Sequence, residues 1–320
     1  MKRRSQTSPF KVLIMTALWV AMMYFLAKTL GEFPTSEIWK NNLKAQHILG
    51  LAGYLFCFIV AYTLRAWRSG FLMRLSAVDL SWREIIRAFP YLFFLGAITP
   101  MRLGEAYRAI WIKEKNGSSG DALGYWIAER VTDILVLLSL LLFAISQSPI
   151  SNNRSIFFVT TAILSSLILC YGILWTFYPV INRHIKALGL PVEIYRIFEV
   201  FKYMSNIRVH AYVFLSTLLI WTISILGFWL ALRSFFGSEL NIGFVIASAT
   251  LSNFAAVVSV APANVGGFQA GFVGAAAWFL LSSETAFVSS VYMQAIALVF
   301  VISVGILSFL LNLLEKRRNL

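Results

Sequence analysis

Charge is scarce in this chain, and acidic charge is scarcest. Only 13% of its 320 residues are charged, with 14 Asp and Glu set against 27 Lys and Arg. About a quarter of a soluble domain is charged and roughly half is apolar. Here 59% is apolar and the mean hydropathy is +0.76. A soluble globular domain is excluded, and an all-α integral membrane protein is expected. The net charge of +13 does not point to nucleic acid, because the basic residues fall between apolar runs and form no soluble patch.

Reactive side chains are also few. Cys57 and Cys170 lie inside apolar runs with no CxxC pair, which indicates neither a disulfide framework nor a zinc site. His47, His184 and His210 are far apart, so they suggest no metal site and no triad. GxSxG, HExxH and GxxxxGK are all absent. No catalytic residue, metal or cofactor is expected. Any uphill transport would have to draw on an ion gradient or the membrane potential.

Six apolar runs approach the ~20 residues that a crossing helix needs. They are Val12–Ala27, Ile48–Leu64, Ala122–Ile145, Ile156–Tyr178, Ala211–Leu232 and Ala286–Leu314. The first follows MKRRSQTSPFK and has no small-x-small cleavage site after it, so it reads as an uncleaved signal anchor. Two further apolar segments, about 85–112 and 243–281, are broken by the same pattern. Phe89 to Glu105 reads FPYLFFLGAITPMRLGE and Leu251 to Gly267 reads LSNFAAVVSVAPANVGG. Pro100 and Gly104 thus align with Pro262 and Gly266 at a constant offset of 162. Breaks at membrane depth are tolerated where backbone is buried in protein or lines a wet cavity, and a pair in corresponding positions points to a transport site.

Positive charge orients these segments. With the amino terminus inside, 21 of the 27 Lys and Arg fall in inner segments, Arg65, Arg68 and Arg74 being assigned to the loop after the second run. Both termini are then cytoplasmic. The first broken segment enters from the inside, and the second, flanked by GSEL and SSETA, enters from the outside. A single domain over 1–320 results, with a first inverted repeat in 1–150 and a second in 151–320, each carrying a re-entrant helical hairpin.

Ionisable residues inside a membrane are costly and mark functional candidates. Glu129, Arg130 and Asp133 share one face of the third run, with Arg130 and Asp133 at i, i+3. The alternative for them is a structural ion pair that fixes helix packing. Arg102, Glu105 and Arg108 follow the first break and, if helical, share a face suited to an anionic headgroup. The alternative for Arg102 and Arg108 is an ordinary interfacial position. At the second break Asn264 replaces Arg102, Gly267 replaces Glu105 and Gln269 follows, so this tip is polar and uncharged. Asn253 and Gln294 either line the same cavity or bridge helices. Gly267, Gly271 and Ala275 form a small-residue stripe suited to close helix packing.

In RAWRSGFLMR, in TPMRLGEAYRAIWIKEKNGSSGDALGYWIAERVTDILVL and in APANVGGFQAGF, the chain resembles the transmembrane domain of the lysylphosphatidylglycerol synthase and flippase family, from about Ile48 onward. The resemblance implies movement of lipids between leaflets of the inner (cytoplasmic) membrane. It implies a substrate site at Arg102, Glu105, Arg108, Glu129, Arg130, Asp133 and the tip from Pro262 to Gln269. Membrane lipids are the implied partners, together with a lipid-modifying enzyme encoded nearby. The aminoacyl transferase domain of bifunctional members does not follow Leu320, so lipid aminoacylation is not expected. Competing readings are a polyprenyl-lipid glycosyltransferase, for which Glu32 and Glu37 would be the available carboxylates, and an accessory subunit of a lipid or glycan synthesis complex.

Overall fold

The computed structural model describes residues 44–75, 80–99, 104–149, 154–176, 180, 183–184, 188–189, 191–204, 206–258 and 261–318. Val12–Ala27 with the expected signal anchor, Glu32, Glu37, Pro100 and Arg102 lie outside them. Residues 1–48 group apart from Leu49–Leu320, and only the start of the first helix is described in the former.

Among the described residues there are ten α-helices and no strand. They are α1 (Ala45–Arg74), α2 (Trp82–Ile98), α3 (Tyr107–Glu114), α4 (Ser119–Ser146), α5 (Arg154–Thr176), α6 (Val192–Met204), α7 (Ile207–Phe236), α8 (Ile242–Val258), α9 (Gly267–Trp278) and α10 (Ser283–Arg318). Three stretches are long and apolar enough to cross a membrane, namely Ala45–Arg74, Ile207–Phe236 and Ser283–Asn312. They contain the second, fifth and most of the sixth expected runs. The third run lies in α4, of 28 residues, and the fourth, as far as Thr176, in α5, of 23 residues. The chain is an all-α membrane protein.

Local chemistry sets the helix ends. Ser81 and Glu84 form a capping box at the start of α2. The Ser118 hydroxyl accepts from the Asp121 amide at 3.2 Å and starts α4. Asn206 caps α7, which stops at Gly237, where φ is +94° and a side chain would be strained.

Each broken segment holds two helices, α2 and α3 in the first and α8 and α9 in the second, with a 3₁₀ turn described ahead of the second helix of each. At 17 residues α2 and α8 are roughly 25 Å long, and α9 at 12 is roughly 18 Å, all short of the ~30 Å hydrocarbon thickness. Gly271 lets α9 lie directly on the Ser252 backbone of α8, and Ala275 is fully buried, so that part of the small-residue stripe packs helix on helix. Gly104 sits against the Leu95 carbonyl of α2, where no Cβ would fit. Its amide donates to Thr99 Oγ1 at 2.6 Å. The second break is strained, with Ala263 and Asn264 both left-handed at φ 58° and 56°. This turn, Pro262–Asn264, packs on α2, so the second break meets the arm of the first.

One apolar core, with Phe244, Ala247, Phe272, Ala275 and Met293 fully buried, joins α8, α9 and α10 to α1 and α7. A second joins α1, α2, α3 and α4 through Met73, Ile85, Phe89 and Ile112.

Candidate functional site

α1 does not end at Leu64. It continues as helix to Arg74, which corrects the assignment of Arg65, Arg68 and Arg74 to a loop. Arg68 is only 2% exposed. A buried cation needs a partner, and Arg68 reaches one on a distant helix. Its Nη1 donates to Asp133 Oδ1 at 2.9 Å and its Nη2 to Asp133 Oδ2 at 3.2 Å, a two-pronged bond across 65 residues of sequence. Nη1 also donates to Thr217 Oγ1 of α7 at 2.6 Å. Thr217 in turn donates to the Val213 carbonyl at 2.7 Å. Arg68 therefore ties α1, α4 and α7 together.

Beside it, Glu129 is 1% exposed, accepts from two donors and has a second guanidinium close by. The Ser69 hydroxyl donates to Oε1, Arg108 Nη1 donates to Oε2 at 3.0 Å, and Arg68 Nε lies 3.7 Å from Oε1. Arg108 is thus an interior ion-pair partner, not an interfacial residue: it is 2% exposed and its Nε donates to the Glu105 carbonyl at 3.1 Å. Residues 104–106 form one 3₁₀ turn that leads into α3, and this turn brings Glu105 Oε2 within 3.7 Å of Arg108 Nη2. The same Oε2 accepts from Arg130 Nη2 at 2.6 Å and from Trp126 Nε1 at 3.1 Å. Arg130 Nη1 closes the set 3.6 Å from Asp133 Oδ2, the expected i, i+3 pair. Three guanidinium groups and three carboxylates form one charge-neutral network.

A cavity of about 150 Å³ lies next to this network. Tyr54, Phe58, Ala61, Tyr62 and Arg65 line it along one face of α1, over roughly 16 Å of helix. Glu105, Arg130 and Arg65 give it a charged wall, with the Arg65 guanidinium 5.1 Å above the Trp221 ring. Asn253, Asn264 and Gln294 give it an amide wall. Gln294 Nε2 donates to the Ala263 carbonyl at 2.8 Å, and Gln294 Oε1 accepts from Gln269 Nε2. Gln269 Oε1 accepts from the Gly266 amide at 2.8 Å, which fixes the start of α9 at Gly267. Asn264 is 7% exposed and its Oδ1 has no hydrogen-bond partner. Phe93, Phe228 and Phe268 supply apolar surface between the walls.

Glu105, Arg130 and Asn264 therefore line one cavity, whereas Glu129, Asp133 and Arg108 stand behind it in the network. Gln269 acts through Gln294. Asn253 and Gln294 both line the cavity. Gly104 and Gly266 shape the breaks, and the Pro262 turn carries Asn264. Sequence reasoning missed Arg65 and Arg68 as site residues. Charge balance gave no signal for them, because Arg102, Arg108 and Arg130 already matched Glu105, Glu129 and Asp133 one for one in the sequence.

Away from the cavity, polar contacts anchor the helix ends. Glu193 at the start of α6 accepts from the Gly120 amide at 2.6 Å and from Ser118 Oγ at 3.1 Å, and these bonds hold its carboxyl below the usual range. Lys115 and the Ser81 cap hold Glu84 down to about 2. Among the described residues no group of three His, Cys, Asp or Glu is placed to hold a metal ion.

The profile of the family described as Lysylphosphatidylglycerol synthase TM region matches residues 10–305. No curated protein and no solved structure matches the chain.

Proposed function

Because the chain belongs to the lysylphosphatidylglycerol synthase transmembrane-region family, and so is a membrane protein whose work concerns lipids, we propose that it is a lipid translocase. It moves an anionic phospholipid, aminoacylated lipid or polyprenyl-linked glycolipid between leaflets. The observation that carries this reading is one cavity lined both by the charged Arg65, Arg130 and Glu105 and by the amides Asn253, Asn264 and Gln294. A polar headgroup needs such a site to pass through hydrocarbon, while its tails stay in lipid.

In this reading the paired breaks are tips of two re-entrant hairpins, the halves 1–150 and 151–320 form an inverted repeat, and the tips meet near the midplane. The packing of the Pro262–Asn264 turn on α2 supports that arrangement. The excess of Lys and Arg in the segments shared with the termini supports the inner membrane with both termini cytoplasmic. Headgroup capture falls to Arg130 and Arg65 at the cavity wall, while Arg108 and Arg68 are committed to Glu129 and Asp133. The chain acts as a carrier, not an enzyme, its partners being membrane lipids and an enzyme encoded nearby that makes or consumes them.

The test is reconstitution in liposomes with a fluorescent lipid and a membrane-impermeant quencher. Wild type is expected to expose inner-leaflet label, and Glu105→Gln combined with Arg130→Gln to slow it at least about tenfold, or 1.4 kcal/mol. No exposure of any anionic lipid by the wild type, or full activity in the double variant, refutes the reading.

A further inference from the structure

Two residues on the lining of the cavity, Tyr62 and Asn264, each bury a polar atom without a hydrogen-bond partner, the Tyr62 phenol oxygen and Asn264 Oδ1. Burial of an unpaired polar group is costly, and folded proteins keep few of them. The neighbouring amides on the lining are spent on the protein itself. Gln294 donates to the Ala263 carbonyl at 2.8 Å and accepts from Gln269, and Asn253 Nδ2 donates to the Ala249 carbonyl at 2.8 Å. Tyr62 is held by packing instead, its ring 4.6 Å from Phe93 and 5.6 Å from Phe300. Asn264 is held by the backbone of the second break, at φ 56°, and is 7% exposed. Helix α2 is the common neighbour of the two, through Phe93 and through the Pro262–Asn264 turn.

Their chemistry defines a guest. Asn264 Oδ1 only accepts, so its partner is an O–H or N–H donor. The phenol both donates and accepts, its proton rotates to suit, and the amide turns about a broad terminal torsion. A hydroxyl, at once donor and acceptor, satisfies either. A buried ammonium needs a carboxylate, and Glu105, the carboxylate on the described lining, already accepts from Arg130 at 2.6 Å and Trp126 at 3.1 Å. A quaternary ammonium headgroup offers no donor at all. The rings of Trp221, Phe228 and Phe268 supply flat apolar surface for the carbon skeleton of a polyol.

We infer that Tyr62 and Asn264 recognise the guest of the cavity and that this guest is a lipid whose headgroup carries hydroxyls, as a glycerol, a cyclitol or a sugar does. The inference deepens the translocase reading and rests on it for its transport arm. Both residues act through neutral groups, so they read hydroxyls and not charge.

The experiment compares phosphatidylglycerol and phosphatidylinositol with phosphatidylpropanol, phosphodiesters of equal charge of which only the first two bear headgroup hydroxyls. Each is offered as trace fluorescent lipid in proteoliposomes and as a ligand of the detergent-solubilised protein in native mass spectrometry. Wild type is expected to bind and move at least one hydroxylated lipid about tenfold better than phosphatidylpropanol, because the analogue without hydroxyls leaves the site unpaired. Tyr62→Phe keeps the ring and Asn264→Gly suits the left-handed backbone, so each removes a polar atom without adding strain. Each is expected to lower the ratio about threefold, and the double variant to bring it close to one. A ratio unchanged in both variants means that water or the protein itself meets these atoms, and overturns the inference. Equal handling of all three lipids by the wild type overturns it too, while leaving translocation intact. Phosphatidylethanolamine bound as well as the hydroxylated lipids, with the same dependence on Asn264, would assign the site to an ammonium and overturn the hydroxyl assignment. If the wild type moves none of these lipids but binds them with the expected ratio and residue dependence, the translocase reading fails and the hydroxyl selectivity stands. Soluble glycerol phosphate and inositol phosphate at millimolar concentration are expected not to displace the lipid; displacement would assign the site to a soluble polyol and overturn the lipid assignment.

Discussion

Replacing Arg68 by Met tests whether the neutral network holds the helices together. The substitution keeps an unbranched side chain but removes every bond that Arg68 makes to α4 and α7. Asp133 loses its two-pronged partner at 2.9 and 3.2 Å and is left with Arg130 at 3.6 Å and Trp221 Nε1 at 3.4 Å. Glu129 loses a contact at 3.7 Å but keeps Arg108 and Ser69. Removing one partner of a buried ion pair costs about 3–5 kcal/mol, and the residual partners of Asp133 place this case near about 3 kcal/mol. A change of that size lowers Tm by roughly 5–10 °C in a chain of this length. The compensating change is Asp133→Leu. In the double variant Thr217 still donates to the Val213 carbonyl, so the main debt left is the Trp221 indole at a long 3.4 Å. Apolar replacement of a complete buried pair is often neutral, so the double variant is expected within about 1 kcal/mol of wild type. Thermal unfolding of the purified protein in one detergent measures all four corners of this cycle. A single variant that unfolds within about 2 °C of wild type, or a double variant no better than the single, refutes the reasoning.

Other perturbations have smaller, separable outcomes. Gly104→Ala places a methyl against the Leu95 carbonyl, and Gly266→Ala meets open space but holds alanine at φ +85° and ψ −51°, so each is expected to lower stability by about 1–3 kcal/mol, read as a fall in Tm. Tyr62→Phe removes a buried hydroxyl that has no partner while keeping the rings of Phe93 at 4.6 Å and Phe300 at 5.6 Å, so it is expected to be neutral or stabilising by up to about 1 kcal/mol, while Tyr62→Ala costs roughly 2 kcal/mol or more. Glu84 has a carboxyl held down to about 2, below its unfolded value; its contribution is therefore present above about pH 4.5 and lost as pH falls toward 2. Its partner Lys115 is 41% exposed, so the effect stays below about 1 kcal/mol, and the check is a Tm that falls less between pH 5 and pH 3 in Glu84→Gln than in wild type.

The breaks were legible because Pro and Gly act locally. Gly104 is needed where the chain comes back against Leu95 of α2, and the Pro262 turn stands between α8 and α9, whereas Pro90 is accommodated inside α2, so a proline alone does not mark a break. Glu129, Arg130 and Asp133 were legible because a helical face follows from spacing alone. Arg65 and Arg68 were not. Positive residues after an apolar run read as the end of the run, and nothing near Arg68 in sequence announces that its partner is Asp133, 65 residues away. Glu193 was missed for a related reason, since its partners Ser118 and Gly120 lie on the other side of α5.

The difference between the two breaks follows from what each leaves unsatisfied. After the first break the chain returns as a 3₁₀ turn that carries Glu105, and a buried carboxylate there requires Arg130 and Arg108 around it. Those arginines bring Glu129 and Asp133 into play, and these in turn require Arg68, so one charged residue at a turn propagates into a network spanning four helices. After the second break the backbone itself is the exposed polar group. The Ala263 carbonyl and the Gly266 amide are met by Gln294 and Gln269, which bond to each other, and neutral amides suffice because no charge has to be matched. The cavity lining therefore combines fixed charge, from Arg65, Arg130 and Glu105, with neutral amides, from Asn253, Asn264 and Gln294. Exchanging Gln294 for Leu should then strand the Ala263 carbonyl at a cost of about 1–3 kcal/mol, read as a lower Tm, and a Gln294→Leu variant as stable as wild type would show that this bond does not hold the second break.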